Sequence, residues 1–132
     1  MITVKKLEEW DACDEAIDVL KANGGKCGIK KAIRLCEEND PNWLPWLMAT
    51  PACGELIKAG IDVNVRDGGG RTALHYAAYD GLWLVCKSLL NHGADVNARN
   101  DRGKTPLYYA ENPLYYAENK GIAKLQEHGG TL

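Results

Sequence analysis

The chain repeats itself at one fixed, short spacing, and that period restricts the fold more than any other property of the sequence. Gly70-Arg-Thr-Ala-Leu-His-Tyr-Ala77 overlays Gly103-Lys-Thr-Pro-Leu-Tyr-Tyr-Ala110. The same shift lays Gly60-Ile-Asp-Val-Asn-Val-Arg66 over Gly93-Ala-Asp-Val-Asn-Ala-Arg99. A unit this short cannot bury its own apolar face, so successive units must stack and share one core.

Local chemistry within the period specifies helices. Thr72 and Thr105 each precede a short helical pattern, where a hydroxyl caps orphan amides. Pro106 follows Thr105 at the first helical position, where its missing N–H costs nothing. Leu74, Ala77 and Ala78 give that helix one small apolar face. A second helix carries Leu82, Val85, Cys86, Leu89 and Leu90 at helical spacing and stops at His92-Gly93. Asp95 to Gly103 is rich in Asn, Asp and Gly, which suits a turn projecting between units.

Thr72-Ala-Leu-His-Tyr-Ala-Ala78, Gly81, Leu89-Leu90 and Gly93-Ala-Asp-Val-Asn97 resemble the ankyrin repeat. Asp67 to Arg99 is a complete unit. Upstream, Leu56-Ile-Lys-Ala-Gly-Ile-Asp-Val-Asn64 resembles the second half of another. Downstream, the unit starting at Asn100 has Tyr108 where the family usually has His. The resemblance implies an all-α fold: a short ankyrin-type helical solenoid with an N-terminal helical cap and β-turn fingers. It divides residues 1–132 of a single domain into a cap region (1–50), a degenerate repeat (51–66), a complete repeat (67–99) and a C-terminal repeat (100–132). His75 is expected to be a structural hydrogen-bonder inside the repeat rather than a catalytic base.

Residues 1–50 do not follow the period. Leu7, Trp10, Ile17 and Leu20 fall near one helical face, with Asn23-Gly24-Gly25 as a stop. A second helix is predicted from about Ile29 to Glu38, with Ile29, Ala32, Ile33 and Cys36 inward. Pro41 ends it by disfavouring helical geometry at Asp40. The apolar stretch Trp43-Leu-Pro-Trp-Leu-Met-Ala49 reads either as a cover for the exposed end of the solenoid or as an aromatic groove formed by Trp43 and Trp46. The run from Cys36 through a polar turn to Trp-Leu-x-Trp-Leu also resembles a short region of some bacterial and phage proteins, to which no function attaches.

Inside the last unit, Pro106-Leu-Tyr-Tyr-Ala-Glu-Asn112 recurs unchanged as Pro113-Leu-Tyr-Tyr-Ala-Glu-Asn119, a tandem duplication. Seven residues turn a helix by about 700°, close to two full turns, so Leu, Tyr and Ala keep one face. Pro113 argues against one straight helix through both copies. The first copy is expected in the first-helix slot and the second in a lengthened final helix. Two registers of similar energy, or exchange with a second chain, are the alternative to a neutral slippage event at a tolerant position.

Size and charge set the remaining bounds. At 132 residues with net charge −2 and pI near 5.9, the chain gives no electrostatic reason to bind nucleic acid or an anionic membrane. No apolar run spans a bilayer, and the start lacks a signal-peptide core, so a cytoplasmic protein is expected. Five cysteines (13, 27, 36, 53 and 86) without a C-x-x-C pair suit neither a disulfide framework nor zinc. Cys53 and Cys86 occupy equivalent repeat positions and read as small core residues. Gly68-Gly-Gly70 lacks the lysine and hydroxyl of a phosphate loop, and no hydrolase motif occurs. The expectation is therefore no enzyme, no cofactor and no metal.

The resemblance implies protein–protein recognition through turn tips and the exposed side of each first helix. By position these are Arg71, Tyr79, Asp80 and His92, with Gly68 and Gly69, in the complete unit, and Asp101, Arg102, Lys104 and Asn112 in the last. Arg71, Arg102, Lys104 and Tyr79 would suit an acidic partner. Two other readings stand beside this one. One is a self-associating or domain-swapped dimer through the duplicated heptad, as against a monomer. The other is an inhibitor of the bacterial immunity or antitoxin kind.

Overall fold

A computed structural model describes residues 1–10, 12–111 and 125–131, which fall in two units, Met1–Pro41 and Asn42–Leu132. In the first, Thr3 is extended and its hydroxyl accepts from the Lys6 amide at 3.2 Å, starting α1 (Val4–Glu9). α1 stops at Trp10, and α2 (Asp14–Ala22) restarts with Asp14 and Glu15 in its first turn, where acidic groups suit the helix dipole. The apolar positions 7 to 20 therefore divide between two helices packed on each other, not one continuous face. Asn23-Gly24-Gly25 ends α2 as its composition indicates. β2 (Lys26–Cys27) then pairs antiparallel with β1 (Ile2–Thr3), Ile2 opposite Cys27. Strands of two residues leave no periodicity to read, so the sequence does not announce them. α3 (Ile29–Asn39) ends at Asp40, whose φ of −151° and ψ of 102° are the extended geometry favoured before proline. Ile2, Leu7, Ile17, Leu20, Cys27, Ala32 and Cys36 form this unit's core.

The second unit is built from helix pairs: α4 (Trp43–Met48) with α5 (Cys53–Lys58), then α6 (Ala73–Tyr79) with α7 (Trp83–Asn91), then α8 (Pro106–Glu111). α6 packs between α4 and α8, while α5 packs against α7. The first copy of the duplicated heptad thus occupies a first-helix slot, since α8 starts at Pro106, one full period after Ala73 starts α6.

Trp43–Met48 is itself a first helix. Leu44, Pro45, Leu47 and Met48 are buried, as are Leu74, His75, Ala77 and Ala78 one helix on. The step from Leu44 to Leu74 is shorter than the step from Leu74 to Leu107, because α5 has six residues where α7 has nine. The boundary set at residue 50 from the sequence runs between the two helices of this pair. The pair escapes sequence alignment because α4 lacks the Thr-x-Leu-His pattern and its partner lacks a first turn. Cys53 and Cys86 are buried, and burial pushes the Cys86 thiol up to about 12, as an inert packing group requires.

The end of the last unit repeats the end of the one before. Gly129 N–H donates to Gln126 and Gly130 N–H to Leu125, as Gly93 and Ala94 donate to Leu90 and Leu89. Leu125, fully buried, stands where Leu89 stands. Residues 112–124 therefore join Glu111 to Leu125 where residues 79–88 join Ala78 to Leu89. The proposed placement of the second heptad copy, and Asn112, lie outside the described residues.

Candidate protein-interaction surface

The fingers between helix pairs are hairpin turns closed by one acidic or amide side chain. Asp67 N–H donates to the Arg71 carbonyl at 3.0 Å, and Asp67 Oδ1 accepts from the amides of Gly69 and Arg71, both at 2.9 Å. Asn100, one period later, does the same: its N–H donates to Lys104, and its Oδ1 accepts from Arg102 and Lys104, each at 3.0 Å. Each turn is further held from the first helix. Tyr76 donates its hydroxyl to Asp67 Oδ2, whereas Asn100 Nδ2 donates to the Tyr109 hydroxyl at 2.7 Å. Burial raises the Asp67 pKa, but the Tyr76 hydroxyl, the two amides and the Arg71 charge outweigh it and hold it below the usual value.

Adjacent fingers are bonded directly. The Asp101 amide donates to the Gly69 carbonyl at 3.0 Å, and Arg66 Nη1 reaches the Arg99 carbonyl at 2.7 Å. A second ladder runs through the asparagines of the Asp-Val-Asn segments. Asn64 donates to Gly93 and accepts from Asp95, while Asn97 donates to Gly129 and accepts from Thr131. The repeated polar residues of the loops thus join units.

Thr72 and His75 close a capping box at the start of α6. The Thr72 amide donates to His75 Nδ1 at 3.1 Å, and His75 Nε2 lies 2.9 Å from the Lys104 carbonyl. An acceptor at Nδ1 and a carbonyl at Nε2 admit one neutral tautomer, with the proton on Nε2. Burial is the largest cause holding the His75 pKa below its ordinary value. This histidine is a structural link.

On the first-helix face, Tyr109 takes edge-to-face contacts from His75 (5.9 Å between centroids), Tyr79 (6.1 Å) and Tyr108 (5.4 Å). Lys104 Nζ sits 4.3 Å over the Tyr108 ring, and the Arg71 guanidinium 5.4 Å over Tyr76. Tyr79 remains 46 % exposed.

Most of the sequence-chosen residues lie on the two fingers and at the end of α6. Arg71 is half exposed and paired with Asp67 Oδ2 at 3.1 Å. Asp101 and Arg102 are exposed on the next finger, Lys104 leads from it into α8, and Tyr79 adjoins Tyr109. Asp80 is exposed at the C-cap of α6. Gly69 contributes its carbonyl, and the Gly68 amide is taken by Asn42 Oδ1 at 2.6 Å. His92 lies at the C-cap of α7, where its Nδ1 donates to the Ser88 carbonyl at 2.7 Å. Tyr108 and Tyr109 were not among the sequence-chosen residues. The signal was present: Tyr109 lies one period after Tyr76, just as Asn100 follows Asp67.

Residues 56–110 match the family described as "Ankyrin repeats (many copies)". They are ankyrin repeats. Among solved structures, 303 chains match, and one is the ankyrin repeat domain of human ASB11. It is similar with 32 % identity and a TM-score of 0.54, over 61 % of this chain and 35 % of that one. The chain therefore spans about a third of the length of that domain. No curated protein sequence matches. Ankyrin repeats generally serve as protein–protein interaction modules and are typically not enzymes. Among the described residues, no helix is long and apolar enough to cross a membrane, and no three metal-binding side chains cluster.

Proposed function

We propose that this ankyrin-repeat chain binds a protein partner through its two described fingers and the outward side of α6 and α8. The observation that carries the reading is the Asp101–Gly69 bond between fingers, with the Tyr79–Tyr109 contact between helices. These join Arg71 and Tyr79 of one unit to Arg102, Lys104 and Tyr108 of the next, so a partner meets them as one surface. Asp101 and Asp80 border it. The interior of the same region is fully committed: every buried side-chain nitrogen and oxygen among the described residues has a partner. Its exposed aromatics and cations are the groups suited to anchoring an interface.

The test is affinity capture from the source cell with wild type and with Arg71→Ala/Tyr79→Ala/Lys104→Ala, after matched circular dichroism and melting confirm both fold alike. A partner retained by wild type and lost by the variant supports the surface. Equal retention by both would move recognition to another face and remove these residues from the site.

A further inference from the structure

We infer that the finger surface is built to receive an acidic segment of the partner protein. The inference rests on the interaction surface proposed above and specifies the chemistry it accepts. Residues 66–71 and 99–104 carry five cations, Arg66, Arg71, Arg99, Arg102 and Lys104, against two carboxylates, Asp67 and Asp101. The whole chain has the opposite sign, with net charge −2. Positive charge is thus concentrated on the fingers of an acidic protein.

One of the two carboxylates is withdrawn from any partner. The Asp67 side chain is 2 % exposed and is taken by Tyr76, two backbone amides and Arg71. Arg66, Arg99, Arg102 and Lys104 have no carboxylate partner among the described residues. Arg66 and Arg99 are held in place nonetheless. Arg66 Nη1 donates to the carbonyls of Gly70 and Arg99, and Arg99 Nη1 to that of Gly103. Those bonds hold two exposed guanidiniums on neighbouring fingers without neutralising either, which leaves both charges to an anionic segment.

The rings beside the cations favour a peptide over a nucleic acid. Single-stranded nucleic acid needs open aromatic faces on which bases stack. Here Tyr109 is engaged in T-shaped contacts with His75, Tyr79 and Tyr108, and a face of Tyr108 is occupied by Lys104 Nζ. What remains is charge for carboxylates beside tyrosine edges and hydroxyls for a peptide backbone.

The experiment measures fluorescence anisotropy of labelled peptides of alternating Glu and Gly, Gln and Gly, or Lys and Gly, and of an oligothymidylate, with the full chain. The Glu peptide should bind, more weakly as salt rises toward physiological strength. Binding should fall about tenfold in Arg102→Glu/Lys104→Glu. The control Lys58→Glu/Lys87→Glu makes the same change of charge on side chains of α5 and α7, away from the fingers, and should lose much less. Absence of Glu-peptide binding, equal binding of the Gln peptide, equal losses in both variants, or preference for the oligothymidylate would each overturn the inference. A captured partner that is lost with Arg71→Ala/Tyr79→Ala/Lys104→Ala but is indifferent to salt and to Arg102→Glu/Lys104→Glu would keep the surface and reject its acidic ligand.

Discussion

The Nε2–H of His75 donates to the carbonyl of Lys104 across 2.9 Å, tying the start of α6 to the finger that leads into α8. The opposite ring nitrogen accepts from Thr72, so one side chain both caps its own helix and bonds the next unit. In the last unit Tyr108 holds the corresponding position and lies beneath Lys104 Nζ instead. The internal link gives way to an aromatic at the unit's face.

Replacing His75 by alanine leaves the Thr72 amide without its partner in a buried setting and takes one of two donors from the Lys104 carbonyl, which keeps the Asn100 amide. A loss of about 2–4 kcal/mol is expected, since orphaned buried polar groups cost more than the bond itself contributes. Urea unfolding followed by circular dichroism measures it. A loss under about half a kcal/mol, the effect of a neutral surface change, would mean that water replaces the ring.

The same residue makes stability depend on pH. Its pKa in the fold is held below the ordinary 6.5, so the unfolded chain binds the proton more readily. Its contribution is therefore complete above about pH 6.5 and is lost as pH falls from there through the lowered value. The melting temperature of wild type should drop across that window, and His75→Ala should flatten the drop. Parallel profiles for the two proteins would assign the titration to another group.

Gly70 and Gly103 occupy equivalent finger positions with φ of 73° and 71°, yet their surroundings differ. A Cβ on Gly70 would lie 2.6 Å from Asp101 Oδ1 and 3.0 Å from the Asp101 amide, whereas one on Gly103 meets nothing within 4 Å. Gly103→Ala should cost about 1–2 kcal/mol, the left-handed backbone penalty alone. Gly70→Ala should cost more, because it also pushes the next finger away. Thermal melts of the pair give the difference, and equal losses would show that the fingers separate freely.

Leu107 is buried on α8, in the first copy of the duplicated heptad. Leu107→Ala should cost about 2–5 kcal/mol. A much smaller loss that returns to full size on adding Leu114→Ala would mean that the second copy takes over the slot. Chemical denaturation of the two variants separates these outcomes.

Gly130 shows how the sequence can hide a requirement. It ends the last unit without a left-handed backbone, and no motif marks it. Yet a Cβ there would come within 2.6 Å of the Leu125 carbonyl and 3.2 Å of Val96. The close approach comes from the chain folding back onto its own last turn, which a linear pattern does not record. The Trp43–Met48 helix was obscured in a similar way. Its apolar residues are plain, but its short partner helix brings the next unit in early and takes it out of the repeat's register.

By itself the sequence determined the repeating unit, its helix starts, its turn residues and the histidine inside it. Those depend on local propensity and on a period that successive units must share in order to stack. It also determined which residues occupy finger and first-helix positions. Only the tertiary structure decided which groups of neighbouring units meet, such as Tyr79 with Tyr109 and His75 with the Lys104 carbonyl. Neighbourhood across units is fixed by bonds such as Asp101 to Gly69 and His75 to Lys104. Their partners stand nearly a full repeat apart along the chain, and that separation closes only when the core does.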